Sequence, residues 1–138
     1  MKSNFILLLI SVIAIHFFLG DKGNFAAQTI ESSNVKEMAV YKLNSDENQI
    51  LSPDNINFNI KLPSMVDSLI SSIDFSAPLD GSDLLTLINA YVYIKFVDNS
   101  VSVFELSDVW RHICKWGHPG RCYRISQNGA NLFEAYAQ

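Results

Sequence analysis

The sequence predicts an α+β fold: a small antiparallel β-sheet built of hairpins, one short helix (about residues 65–73) packed on one face, and one disulfide. Three observations carry this reading. Short stretches alternate apolar and polar residues with period 2, as half-buried strands require. A stripe of Met65, Val66, Leu69, Ile70 and Ile73 recurs at helical spacing. Cys114 and Cys122 are the only cysteines, and they flank a turn signal. The chain has 138 residues and a formal charge of −4, with 49% apolar and 17% charged residues. That composition excludes wholesale disorder and a polybasic nucleic-acid binder.

The apolar content is unevenly spread. Lys2 precedes the run Phe5–Leu19, which is interrupted only by Ser11 and His16. A helix of that length spans roughly 22 Å, short of the ~30 Å hydrocarbon core. Residues 1–27 therefore read as a secretory signal peptide, and residues 28–138 as a single exported domain, secreted or periplasmic. Gly20, Gly23, Ala26 and Ala27 supply small residues near the cleavage region without a clean small-x-small pattern. An uncleaved N-terminal anchor is the alternative, and only then is a stable membrane span expected.

Along the exported part, Val35–Leu43 reads as a strand, with Met38 and Val40 on one side and Tyr41 and Leu43 on the other. Asn44–Asn48 and Ser52-Pro53-Asp54 are turn clusters. Ile56, Phe58, Ile60 and Leu62 alternate with polar residues, the clearest strand signal in the chain. Pro63 ends that strand. Ser64 and Asp67 have the form of a capping box opening the helix. Phe75–Asp83 reads as a loop. Tyr91–Val97 is β-branched and aromatic, hence a strand. A two-residue turn at Asp98-Asn99 places Phe96 opposite Val101 and Ile94 opposite Val103. Trp110–Ile125 forms a second hairpin closed around Gly117-His118-Pro119-Gly120, and Asn128-Gly129 signals another turn. Leu132–Ala137 is compatible with a strand or a helical turn.

The C-terminal hairpin concentrates the chemistry. In an exported chain, two cysteines astride a tight turn point to a disulfide. The chain-entropy model assigns such a small loop roughly 2.5 kcal/mol. A metal site from His112, Cys114, His118 and Cys122 is the rival reading, since these types suit zinc. A Cys114–His118 nucleophile–base pair lacks an orienting third group. If Cys114 faces Cys122, then His112 faces Arg124 and Ile113 faces Tyr123. The disulfide side then carries Trp110, His112, Trp116 and Arg124, with His118 and Arg121 at the tip.

Charge sharpens the contrast. Residues 28–110 hold 4 basic and 12 acidic side chains, whereas residues 111–138 hold 4 basic and 1 acidic. The hairpin is thus a positive patch on an acidic body, and Trp and Arg are residue types enriched at binding hot spots. The expected function is a small non-enzymatic binding protein, of inhibitor or immunity type, engaging a protein with an acidic surface through Trp110, His112, Trp116, His118, Arg121 and Arg124. The competing reading buries both tryptophans and pairs the arginines with the domain's own acids. A metal- or small-molecule-binding domain using the His/Cys cluster is the alternative function, and a small hydrolase around His112 and His118 ranks last. Asp80 and Asp83 fall short of a calcium loop and read as turn chemistry. Asp46-Glu47 reads as a solvated turn. No phosphate loop, Ser-His-Asp arrangement or His-Glu-x-x-His motif is present, and no cofactor is implied.

Overall fold

A computed structural model describes residues 29–43, 50–79, 87–107, 109–118 and 121–138. The proposed signal segment, the 44–48 turn and the Asp80/Asp83 pair lie outside the described residues. The β-branched and aromatic stretches become strands β1 (Val35–Lys42), β3 (Ile88–Phe96) and β4 (Val101–Ser107). To these are added β2 (Ile73–Leu79), β5 (His112–Lys115) and β6 (Cys122–Ile125). All pair antiparallel in one sheet, ordered β1-β3-β4-β5-β6-β2. Helices α1 (Pro63–Ser71) and α2 (Gln127–Tyr136) share one face. Among the described residues no helix is long and apolar enough to cross a membrane.

Alternation along the strands divides the apolar residues between two cores. Met38, Val40, Val92, Ile94, Leu106, Ile113 and Ile125 meet Val66, Leu69 and Ile70 of α1 and Phe133 of α2. On the reverse face Ala39, Tyr91 and Tyr93 pack with Phe58, flanked by Tyr41, Leu51 and Val103. The α+β expectation with one disulfide stands, with a second helix added.

The clearest strand signal did not become a strand. Within 56–62 only Ile60 pairs with the sheet, bonding Met38 through N–H···O contacts of 2.8 and 3.0 Å. Phe58 enters the reverse core while Ile60 enters the helix-side core. The segment therefore rolls across the free edge of β1, and Leu62 is left 62% exposed. Tyrosine hydroxyls take up a backbone donor of this segment and one from the residues leading into it. Asn57 N donates to Tyr41 Oη at 2.8 Å and Leu51 N to Tyr93 Oη at 2.9 Å, which removes the need for a second strand there. Lys95 fastens the crossing, pairing with Glu37 at 3.0 Å with its ammonium 5.3 Å from the Phe58 ring centroid.

The helix begins two residues earlier than expected and lacks the capping box. Pro63 occupies its first turn, where a missing N–H is harmless, and Leu62 at the N-cap makes no side-chain cap bond. Asp67 instead accepts from Ser32 Oγ at 2.7 Å. Ile73, assigned to the helical stripe, opens β2. The loop expected at Phe75–Asp83 is largely this strand. It is an edge strand whose register with β6 shifts between Asp74 and Leu79, which is where Pro78 is tolerated.

The β3–β4 register is displaced by one residue from expectation. Lys95 faces Val101, Ile94 faces Ser102 and Tyr93 faces Val103. The loop has three residues, closed by Phe96 N donating to Ser100 O at 2.9 Å, with Asn99 at φ 67°. A left-handed third loop residue is the usual device of such hairpins, and the slip moves every side chain of one strand to the other face. Asn128-Gly129 makes no turn. Ser126 caps α2 there, its Oγ accepting from Gly129 N at 3.1 Å.

Candidate functional site: the disulfide-clamped hairpin

Strands β5 and β6 pair Cys114 with Cys122, His112 with Arg124 and Ile113 with Tyr123. This is the register required by a cross-strand disulfide, and the bond is present, with Cα atoms 4.0 Å apart. Ile113, Tyr123 and Ile125 point into the helix-side core. His112, Cys114 and Arg124 consequently face the reverse side, because strand side chains alternate. Neighbouring strands extend that side into two rows. Ser107, His112, Arg124 and Asp74 occupy one row; Glu105, Cys114 and Cys122 occupy the other.

The structure divides the two tryptophans. Trp116 is 50% exposed beside the disulfide, whereas Trp110 is 5% exposed and belongs to the helix-side core. The placement of Trp110 on the disulfide face is therefore corrected. Strand alternation does not run from His112 back to Trp110, because Val109 and Trp110 both adopt left-handed backbone, at φ 55° and 70°. That reversal turns the indole inward. His118 is exposed at the tip, His112 is half-buried, and Arg124 is exposed opposite Asp74.

Electrostatics on the reverse face are partly self-compensated. The Asp74 carboxyl lies below its ordinary value, chiefly through hydrogen bonds from Ser76 Oγ and N, with the Arg124 guanidinium contributing. The domain's own acid thus answers part of the Arg124 charge. Burial pushes the Glu105 carboxyl up. Both sulfurs are consumed in the disulfide, so neither cysteine supplies the thiolate that zinc ligation needs. Among the described residues no group of three or more His, Cys, Asp or Glu side chains is placed to hold a metal ion.

Sequence reasoning missed a cleft on the opposite side of the same hairpin. A cavity of about 380 Å³ lies where the helices leave the sheet uncovered, floored by Phe96, Ser102, Phe104 and Tyr123. Lys115 and Arg121 line one wall and the segment Thr29–Asn34 lines the other. Lys115 N donates to Arg121 O at 3.0 Å, setting the two cations side by side. The placement of Arg121 at the tip with the disulfide-side residues is thereby corrected: it lines this cleft with Lys115, because each stands next to a half-cystine and strand side chains alternate. Nothing in the sequence announced the far wall, which is assembled by Val97 N donating to Asn34 O at 3.0 Å and by the Ser32–Asp67 bond. Comparisons with protein-family models, curated proteins and solved structures return no match.

Proposed function

We propose that the chain is an exported binding protein, of inhibitor or immunity type, that engages an acidic partner through the clamped hairpin. The observation that carries this reading is Trp116, half-exposed on a strand end held by the Cys114–Cys122 bond. A large aromatic ring on a rigid support makes contact area at little entropic cost. Arg124, exposed, supplies the cation of this surface, and His118 at the exposed tip adds a hydrogen-bonding ring. Trp110 is withdrawn from the binding set, since it is core. Export is supported by the apolar N-terminal run and by a disulfide, which persists in oxidising compartments.

The test is affinity capture from the exported fraction of the source cells with wild-type protein and with Trp116→Ala and Arg124→Ala variants. A partner retained by the wild type, eluted by salt and lost from Trp116→Ala supports the reading. Equal retention by folded variants overturns it. Mass spectrometry of the protein recovered outside the cytoplasm checks export separately, with a new N-terminus expected near Gln28.

A further inference from the structure

We propose that the cleft beside Lys115 and Arg121 is a binding site for a small organic anion: a carboxylate head on an apolar, ring-sized body. Trp116 is not among the residues that line this cleft, and the proposal is independent of the partner-binding reading. Its volume, about 380 Å³, falls within the range of small-molecule sites, roughly 300–1,000 Å³. The floor is aromatic: Phe104 and Tyr123 are buried core residues whose rings close its base, and Phe96 borders them. Ser102, on β4 beside Phe104, adds a hydroxyl to an otherwise apolar surface.

The sign of the charge is decided by burial. The cleft contains two cations and two carboxylates, but they are not equivalent. Lys115 and Arg121 are half-buried, whereas Glu31 and Asp98 are exposed at the rim. Solvent screens the exposed rim charges most strongly. Asp98 is also turned back on its own loop, accepting from Ser100 N at 2.9 Å and Ser100 Oγ at 2.6 Å. Two cationic side chains border the aromatic floor, and each carries more than one N–H that can donate to a ligand carboxylate. The Cys114–Cys122 bond fixes the spacing of those cations from the other face, because Lys115 follows one half-cystine and Arg121 precedes the other. Their backbones cannot separate without breaking it. A preorganised pair of donors is what a carboxylate needs for charge-assisted hydrogen bonds.

The experiment titrates the oxidised protein with 2-naphthoate and, as a control of opposite charge, with 2-naphthylmethylammonium, following backbone amide shifts by NMR. Saturable shifts at Ser102, Phe104 and Tyr123 with naphthoate are expected, and weaker ones with the ammonium compound. Lys115→Gln and Arg121→Gln each lower naphthoate affinity roughly tenfold, the scale of one charge-assisted bond. Ser102→Phe fills the floor and abolishes binding, while Trp116→Ala leaves it unchanged. Equal or tighter binding of the ammonium compound overturns the proposal. So does the absence of saturable cleft shifts at millimolar naphthoate, or a loss of naphthoate binding in Trp116→Ala. Partner capture by the hairpin's other face reads out separately, so failure of one leaves the other standing.

Discussion

Gly129, in the first turn of α2, lies directly against the side chain of Ser72, which follows α1. A Cβ at Gly129 would overlap the Ser72 side chain and stand 2.6 Å from Ile125 Cγ2. The approach is drawn tight by Ser126 N donating to Ser72 O at 2.9 Å. Glycine is here a packing requirement, and the usual gain of about 1 kcal/mol for Gly→Ala in a helix is reversed. Gly129→Ala is expected to destabilise by about 1–3 kcal/mol, the scale of overpacking. Chemical denaturation checks this, and Ser72→Gly in the same chain restores part of the loss by removing the atoms struck.

The left-handed pair Val109-Trp110 separates strain from packing. Val109 is 73% exposed, so its side chain gains little to offset a left-handed backbone. Val109→Gly is expected to stabilise by about 1 kcal/mol, since the steric penalty it removes is roughly 1–2 kcal/mol for an L-residue. Trp110→Ala acts in the opposite direction, losing about 3–5 kcal/mol as a large core side chain does. Thermal melts of the two variants give both signs.

Trp116→Ala, by contrast, leaves stability within about 0.5 kcal/mol, as expected for a surface position. Its effect falls on partner capture. A large loss of stability in this variant would show the indole to be structural and remove the basis of the proposed function.

Glu105 sets a pH dependence. Burial raises its carboxyl in the fold, so the folded state holds its proton more tightly than the unfolded chain. The associated stability is complete at low pH and is lost as pH rises through the folded value. Glu105→Gln is therefore expected to raise the melting temperature at neutral pH and to give no gain near about pH 3, where both states are protonated. Melts across that range test the sign. Asp74 and Asp98 act oppositely: hydrogen bonds from Ser76 and Ser100 hold both below the ordinary value, so their contribution fades as pH falls.

Replacing both half-cystines, Cys114→Ser with Cys122→Ser, is expected to lower stability by about 2.5 kcal/mol without loss of the fold. The hairpin remains bordered by β4 on one side and β2 on the other. Denaturant titration measures the loss, and reduction of the wild type gives the same shift.

Features encoded by neighbours in the chain were readable from the sequence. The Cys114–Cys122 register followed from two half-cystines astride one turn, and with it the assignment of Ile113 and Tyr123 to the core and of Arg124 to the reverse face. β1 was readable because Met38 and Val40 alternate with residues suited to a second surface. The failures share one cause: period-2 alternation reports that a stretch has two sides, and says nothing of what lies against each. Phe58 and Ile60 alternate as strand residues do, yet they enter separate cores because the segment crosses the edge of β1. β2 does alternate, with Ile73, Phe75, Ala77 and Leu79 set between Asp74, Ser76 and Pro78, but Pro78 and the Ser/Asp-rich residues after it read as a loop, and the stretch is a strand because β6 offers it a ladder. The β3–β4 register turned on a single backbone angle at Asn99, and Trp110 left its expected face through two such angles. The cleft arises where residues 29–34 meet the β3–β4 turn and the C-terminal hairpin, distant in sequence and brought together only by packing. Sequence by itself determined the sheet-rich class, the disulfide and the basic hairpin. Tertiary structure decided which tryptophan faces solvent and where the cations converge, because both depend on what the rest of the chain covers.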